Sequence, residues 1–212
     1  MRLLAVDTAL GACSVAILEG DEVLAHIFEP MERGHAEILA PMVEDAMRQA
    51  ELAFSALDRL AVTTGPGTFT GQRVGLAFMR GLRVALGKPL VGVTTLAAMA
   101  AQAIAETGLA MAAALHDARR GEVYLQTNRM EVPVLLSFAD ALETLAQVEG
   151  RFALAGTAAP SAATHLMRAV LSTVRQPDAL WVARLARTLP APATAPRPLY
   201  LRAPDARLPR PA

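Results

Sequence analysis

The chain has 212 residues with 20 basic and 20 acidic side chains, so its formal net charge is zero. This balance argues against a protein that holds nucleic acid by itself, because neutralising many phosphates normally takes a basic excess. Cys13 is the only cysteine, which excludes an internal disulfide and a thiolate metal site and fits a reducing compartment. No signal-peptide pattern and no apolar run of about 20 residues is present. We therefore expect a cytoplasmic protein with no membrane contact.

The first half of the sequence predicts three strands followed by alternating helices and strands. The strands are predicted at residues 3–6, 14–18, 23–28, 60–63 and 90–93. The short turn at Gly20 and Asp21 predicts that the second and third strands form an antiparallel hairpin. Helices are predicted at residues 35–50, 70–86 and 96–106. Pro41 lies inside the first helix and is expected to kink it or to mark a restart.

The second half reads as a weaker copy of this βββαβαβα order. A strand ending at Asp117 aligns with the strand ending at Asp7, and further strands are predicted from Glu122, at 132–137 and at 152–155. Helices are predicted at 139–148, 161–171 and 179–189, and the last parallel strand of the copy has no predicted counterpart. Two such copies are the layout of the actin, sugar-kinase and heat-shock-ATPase fold, an RNase H-like α/β fold with nucleotide between its halves.

The predicted organisation is an N-terminal lobe at residues 1–106, a smaller and reduced C-terminal lobe at 107–190, and a proline-rich tail at 191–212. From Pro190 onward the chain holds seven of its 14 prolines, which excludes a helix. We expect this tail to be either an extended segment on the surface or disordered.

A glycine-rich loop, "TTGPGTFTGQRVGL" at residues 63–76, separates a strand from a helix. It does not end in Gly-Lys-Ser/Thr, and its glycines are spaced one residue too far apart for a dinucleotide fingerprint. Thr68 or Thr70 is expected to cap the helix. Helix N-termini favour anions, so one interpretation is a nucleotide or phosphate site, and the other is a tight turn. The candidate residues for a vestigial site are Asp7, Gly65, Gly67, Thr68 and Asp117.

The helix after this loop is apolar around most of its circumference, which predicts either full burial or a covering partner. The helix beginning at His35 has a similarly broad apolar face, and His35 itself is expected on the surface of the first turn. Together the two helices predict a helix-to-helix interface, with plain core packing as the alternative. The positions assigned to this interface are His35, Ile38, Leu39, Met42, Val43 and Ala46 on one helix and Gly71, Val74, Gly75, Phe78 and Leu82 on the other.

Other motifs give weak chemical signals. The four histidines form no metal-binding pair. Asp7 and Asp117 are a candidate magnesium pair, although aspartates at strand ends are more often caps. Arg119 and Arg120 fit either a phosphate clamp or a solvated turn, and the turn is favoured.

Six segments together resemble the TsaB family, also called YeaZ, over almost the whole chain. The glycine-rich segment and "DARRGEVYL" are the more specific ones. The segments are "LLAVDTALGACSVAI", "RGHAEILAPMVEDAM", "TTGPGTFTGQRVGLAFMRGL", "GVTTLAAMA", "DARRGEVYL" and "PLYLR".

The resemblance implies a non-catalytic scaffold that pairs with TsaD through the two helices. TsaD transfers threonylcarbamoyl to the tRNA adenosine next to the anticodon. Its metal-binding histidine pair would fall at Thr95 and Met99, which are poor ligands, and of the adenosine-binding glycine turn only Gly156 remains. The resemblance thus implies no catalytic residue, metal or cofactor on this chain, and places any nucleotide at the junction with TsaD and TsaE. It also implies tRNA contact only through the complex. The surplus apolar surface of the two helices predicts a homodimer in the absence of TsaD.

Two alternatives remain open at the sequence level. One is an autonomous magnesium-dependent ATPase or small-molecule kinase that uses Asp7 and Asp117. The other is a metallopeptidase, for which the sequence offers no ligands.

Overall fold

The computed structural model of the chain describes residues 1–202, and the predicted tail residues 203–212 lie outside the described residues. Its strands are β1 (Arg2–Asp7), β2 (Ala12–Glu19), β3 (Glu22–Pro30), β4 (Arg59–Thr63), β5 (Leu90–Val93), β6 (Ala112–Arg119), β7 (Glu122–Thr127), β8 (Val134–Ser137), β9 (Phe152–Ala155) and β10 (Ala169–Leu171). Its α-helices are α1 (His35–Gln49), α2 (Phe69–Leu86), α3 (Thr95–Thr107), α4 (Phe138–Ala146), α5 (Ala159–Ala163) and α6 (Ala179–Thr188).

The strands form two five-stranded sheets with the same internal order. The first is β3-β2-β1-β4-β5 and the second, taken from its other edge, is β8-β7-β6-β9-β10. In each sheet the first strand pairs antiparallel with the second and parallel with the fourth. The predicted α/β fold with two duplicated lobes is therefore confirmed.

The predicted helix at 161–171 is wrong. The structure has the short helix α5 and then β10, which pairs parallel with β9 through Ala169 and Phe152, Val170 and Ala153, and Leu171 and Leu154. The alanine-rich sequence favours a helix only weakly, whereas pairing with an open sheet edge supplies backbone hydrogen bonds that local propensity does not register. β10 is also the parallel strand that sequence reasoning did not find.

Two helix layers cover each sheet. In the first sheet, one face packs against α1 and α2, and the opposite face packs against α6. In the second sheet, one face packs against α4 and α5 and the other against α3. α6 belongs to the predicted second lobe by sequence but packs on the first sheet, so α3 and α6 lie between the sheets. This arrangement leaves α1 and α2 on the outside of the first lobe.

Proline has different effects on the backbone in two segments of the chain. α1 continues through Pro41 as one helix, with no restart. Residues 190–202 contain no helix or strand, and they pack along the first lobe through a hydrogen bond from Leu199 N to the carbonyl of Thr64 at 2.8 Å.

Candidate functional site

The glycine-rich loop joins β4 to α2 as a tight turn. Gly65 has a φ of +103°, in the left-handed region that a residue without Cβ adopts readily. Thr68 is the N-cap of α2, and its Oγ1 accepts a 3.0 Å hydrogen bond from Gly71 N. Of the two predicted caps, the structure therefore selects Thr68 rather than Thr70.

This loop is closed by the turn between β1 and β2. The backbone N–H of Thr68 donates a 2.8 Å hydrogen bond to the carbonyl of Ala9. A Cβ added to Gly67 would overlap that same carbonyl, and one added to Gly71 would overlap the carbonyl of Thr8. The Thr68 amide is thus already bonded to the chain itself and is not available to an anion. This geometry favours the tight-turn interpretation of the loop, in which the glycines allow close backbone packing.

A cleft of about 620 Å³ separates the two lobes. Three of the five predicted vestigial-site residues line it, namely Gly67, Thr68 and Asp117. Gly65 instead packs against the buried side chain of Gln72, and Asp7 has no exposed surface. The cleft also receives Arg33 and Arg119, balanced by Glu32 and Asp117. Its lining therefore mixes charges rather than concentrating the positive charge that a polyphosphate would favour.

Asp7 lies at the end of β1 beneath the loop. Its Oδ1 accepts hydrogen bonds from Thr63 Oγ1 at 2.5 Å and from Ala9 N at 3.3 Å, and its Oδ2 has no partner. Burial raises the pKa of this carboxyl to about 7, against the opposing effect of those two hydrogen bonds. A fully buried carboxyl that resists ionisation is poorly suited to recruiting magnesium from solvent.

Asp117 occupies the matching position at the end of β6 but in a different environment. Its side chain is exposed and accepts a 2.8 Å hydrogen bond from Arg119 N, while its own N–H donates to Thr157 Oγ1 at 3.0 Å. Arg119 and Arg120 both have positive φ values, of 65° and 59°, so they form the turn between β6 and β7. The two aspartates thus differ sharply: Asp117 caps a surface turn, whereas Asp7 is part of the core.

His116 is a cleft residue that sequence reasoning did not single out. It is 7% exposed, and its Nδ1 is buried without a hydrogen-bond partner. Burial lowers the pKa of this imidazole to about 4, partly offset by the nearby Asp117, so the ring is neutral at physiological pH. The sequence signal that could have identified His116 is its position directly before Asp117, the aspartate at the end of a predicted strand.

The eleven positions assigned to a partner interface on α1 and α2 lie mostly on the side of these helices that packs into the first lobe. Seven of these positions are buried within the first lobe: His35, Leu39, Met42, Val43, Ala46, Gly71 and Gly75. The other four are half-buried: Ile38, Val74, Phe78 and Leu82. The expectation that His35 lies on the surface is wrong, because it is only 8% exposed and its Nε2 bonds to the carbonyl of Leu10 at 3.1 Å.

The most exposed part of α2 carries small and apolar side chains that the predicted set omits. Ala77, Gly81 and Ala85 are exposed at four-residue intervals, and Val84 is 79% exposed. A Cβ on Gly81 would meet no atom within 4 Å. These residues lie on the side of α2 opposite its buried face. The apolar circumference of this helix was the sequence signal, but only the packing shows which side stays uncovered.

Comparison with known proteins connects this fold to one family. The family described as TsaD, tRNA N6-adenosine threonylcarbamoyltransferase, matches residues 22–173. The tRNA threonylcarbamoyladenosine biosynthesis protein TsaB of Escherichia coli K12 is 42% identical over 124 residues, which are 58% of this chain and 53% of that protein. The crystal structure of YeaZ from Pseudomonas aeruginosa has a TM-score of 0.76 and 31% identity, covering 94% of this chain and 99% of that one. The chain belongs to the TsaB/YeaZ family.

The share of a relative's length that this chain covers differs from one relative to another. The chain spans about half the length of the curated TsaB relatives it matches. An uncharacterized protein of Mycobacterium bovis, in contrast, is 36% identical over 208 residues and is covered to 93% of its length. Beyond the TsaB/YeaZ family, component A of the (R)-2-hydroxyglutaryl-CoA dehydratase of Acidaminococcus fermentans has a TM-score of 0.53 at 11% identity, which shows a shared fold alone.

Two positions in α3 correspond, by the resemblance, to the metal-binding pair of TsaD. Thr95 and Met99 are both fully buried in α3, and neither is a good ligand for a hard cation. Within residues 1–202, no group of three or more His, Cys, Asp and Glu side chains is placed to hold a metal ion. Over the same residues, no helix has the length and hydropathy to span a membrane.

Proposed function

We propose that this chain is a non-catalytic scaffold subunit that pairs with TsaD in the threonylcarbamoyladenosine modification of tRNA. The observation that carries the proposal is the exposed side of α2, formed by Ala77, Gly81, Val84 and Ala85 and flanked by the half-buried Val74 and Phe78. A helix in a single chain normally turns its polar side to water. This one presents small and apolar groups instead, which suits close packing against another helix.

The position of α2 supports the same proposal. α1 and α2 cover the face of the first sheet that is remote from the second lobe, so a partner can approach them without disturbing the cleft. Ala77, Gly81 and Ala85 form a strip of small exposed residues, with the half-buried Phe78 on one side of it and the exposed Val84 on the other. The small residues let two helix backbones approach closely, and the larger side chains on either side fill the remaining space between the helices. In the absence of TsaD, we expect the same surface to form a homodimer, since exposed apolar patches tend to find partners.

The closed loop supports the non-catalytic part of the proposal. Thr68 N is bonded to Ala9, and Asp7 is buried and resists ionisation. The same features count against the alternative of an autonomous ATPase or kinase. TsaE and tRNA are proposed to meet this chain only within the complex, with any nucleotide at that junction.

The test is light scattering after size-exclusion chromatography, on the chain alone and with cognate TsaD. Val84→Glu is the informative variant because Val84 is 79% exposed and contributes little to the fold. Val132→Glu is its matched control, since Val132 is a 57% exposed valine in the second lobe. Charged substitutions at Val74 or Phe78 should act in the same direction, but these side chains also pack against the core.

A one-to-one complex that is lost with Val84→Glu and kept with Val132→Glu is the expected result. A wild-type chain that does not pair with TsaD would overturn the proposal. In that case, nucleotide turnover by the pure chain, abolished in both Asp7→Asn and Asp117→Ala, would establish the ATPase or kinase alternative.

One Pseudomonas aeruginosa neighbour is described as similar to peptidase YeaZ, with 31% identity and a TM-score of 0.78. A metallopeptidase needs ligands with suitable spacing, and the described residues offer no such group. Metal analysis of the purified protein distinguishes a metallopeptidase from a scaffold subunit, because stoichiometric zinc or iron would favour the metallopeptidase.

A further inference from the structure

The segment of residues 190–202, here called the C-terminal strap, contacts both lobes. The strap begins just after α6. At this point the Arg59 guanidinium donates hydrogen bonds of 2.7 Å to the carbonyls of Ala186 and Leu189. It then follows the first lobe past the edge strand β5, where Gly92 makes room for it. A Cβ at Gly92 would lie 2.7 Å from Cβ of Pro196. The strap is therefore seated in a groove of the first lobe.

Two arginines of α2 hold the middle of the strap. Arg80 Nε donates a 3.1 Å hydrogen bond to the carbonyl of Pro196. Arg73 Nε donates at 2.8 Å to the Tyr200 hydroxyl, and its guanidinium carbon lies 3.4 Å from the centroid of the Phe69 ring. The Phe69 and Tyr200 rings stack with centroids 5.7 Å apart. The guanidinium lies over the Phe69 ring and 5.8 Å from the Tyr200 centroid, so cation–π attraction adds to the hydrogen bond and the ring stacking. Together these contacts attach the strap to the first lobe.

The end of the strap crosses to the second lobe. Arg202 forms an ion pair with Glu122, at the start of β7. Glu122 follows the turn that contains the cleft residue Arg119, and Thr64, which is bonded to Leu199, precedes the cleft residues Gly67 and Thr68. The strap thus leads from the segment that forms one wall of the cleft to the segment that forms the other.

The attachment points are close together in sequence. Tyr200 is held by the first lobe and Arg202 by the second. Only Leu201 lies between them, so their Cα atoms can be at most about 7 Å apart. The walls of the cleft cannot move far apart while both attachments hold. We propose that the C-terminal strap limits the opening of the inter-lobe cleft, with the Arg202 and Glu122 ion pair as its releasable end.

The ion pair is suited to release because it is partly open to solvent. The Arg202 side chain is 26% exposed to solvent, and the Glu122 side chain is 37% exposed. A pair at this exposure shifts an equilibrium between open and closed forms by about five-fold or less, and salt weakens it. Loss of the whole strap removes the Arg73, Arg80 and Leu199 contacts as well, so its effect should be larger.

The test measures the width of the cleft by pulsed electron spin resonance. Nitroxide labels are placed on Glu32→Cys, an exposed cleft residue of the first lobe, and on Ser161→Cys, an exposed residue of α5 in the second lobe. Cys13 is buried and stays unlabelled. The labelled chain is diluted with excess unlabelled chain so that distances within one molecule dominate.

The variants compared are Arg202→Glu, Arg202→Glu combined with Glu122→Arg, and truncation after Leu189. Arg197→Glu is the matched control, because Arg197 is an exposed arginine of the same strap that forms none of the contacts above. We expect Arg202→Glu to populate longer distances, the charge-swapped double variant to restore the original distribution, and truncation to lengthen the distances further. In the wild type, 1 M salt should act like Arg202→Glu.

Circular dichroism at the same temperature confirms that each variant is folded. If truncation prevents folding, Arg202→Glu and the charge swap decide the outcome by themselves. Distances in Arg202→Glu that equal those in Arg197→Glu would overturn the proposal, and so would a charge swap that fails to restore them. Neither result depends on TsaD, so the proposal stands or falls separately from the scaffold function.

Discussion

The hydroxyl of Thr8 donates a 2.6 Å hydrogen bond to the backbone carbonyl of Gly71. The same oxygen accepts a 3.0 Å hydrogen bond from Gly75 N. Gly71 O and Gly75 N are the pair that an uninterrupted α-helix joins directly. A side chain from the turn after β1 therefore enters the hydrogen-bond ladder of α2 and fixes the helix on the first sheet.

Replacing Thr8 tests the strength of that attachment. Thr8 is 1% exposed, so Thr8→Val removes the hydroxyl where no water replaces it, and we expect a loss of about 1–3 kcal/mol in the free energy of unfolding. Thr8→Ser keeps the hydroxyl and is the matched control. Urea denaturation followed by the fluorescence of Trp181, the only tryptophan, gives both values. Equal losses in the two variants would show that the hydroxyl contributes nothing.

Glycines of α2 should respond oppositely to alanine, according to what they face. At Gly71 a Cβ would overlap the Thr8 carbonyl and lie 2.6 Å from Thr68 Oγ1, so Gly71→Ala is expected to destabilise the chain by about 1–3 kcal/mol. At Gly81 the added methyl meets no atom within 4 Å, so Gly81→Ala should stabilise it by about 0.5–1 kcal/mol. Thermal and urea unfolding measure both changes. The same sign in both variants would contradict the packing of α2 described above.

Asp7 makes the stability of the chain depend on pH. Its pKa is about 7 in the folded state and near 3.8 when unfolded. Between these values the folded chain keeps a proton that the unfolded chain releases, so stability falls as pH rises through this window and is level above it. The full effect is at most about 4 kcal/mol.

Asp7→Asn should abolish this dependence. The unfolding free energies of wild type and variant are compared at pH 5 and pH 8, where contributions from other groups, His116 included, cancel in the difference. The variant should gain on the wild type as pH rises and be the more stable protein at pH 8. A difference that does not change with pH would show that Asp7 ionises normally in the folded chain.

Asp178 stabilises the start of α6. Its Oδ1 accepts a 2.8 Å hydrogen bond from Leu180 N, as an N-cap, and lies 2.8 Å from His26 Nε2. Asp178→Ala removes both contacts and should lower the free energy of unfolding by about 1–2 kcal/mol. Asp178→Asn retains the capping acceptor and should lose less. Chemical denaturation ranks the variants, and an alanine variant as stable as the asparagine variant would exclude the cap as the source.

Local patterns in the sequence predicted most of the fold. The helices predicted at 35–50, 70–86, 96–106, 139–148 and 179–189 are present with ends that differ by at most two residues. Their apolar spacing and flanking glycines carry that information within a few turns of chain. The predicted helix at 161–171 failed because β10 is specified by its pairing with β9, which lies outside any local window.

The candidate sites were predicted less completely. The sequence matched Asp7 with Asp117 by position, and the structure keeps that correspondence while burying one carboxyl and exposing the other. Burial sets a pKa through the surrounding atoms, and those atoms come from distant parts of the chain. The predicted partner interface shows the same limit, because apolar character alone did not distinguish the buried Leu39 and Val43 from the exposed Val84.

The sequence by itself determined the two-lobed α/β duplication, the glycine-rich start of α2 and the resemblance to the TsaB family. These follow from residue types at fixed local spacing, which limit backbone conformation and which element can form. Only the tertiary structure decided that Thr8 and Ala9 close the loop, that one side of α2 stays uncovered, and that Arg202 reaches Glu122. Each of these depends on contacts between residues far apart in the chain. Local spacing does not encode such contacts, because they form only when the sheets and helices have packed together.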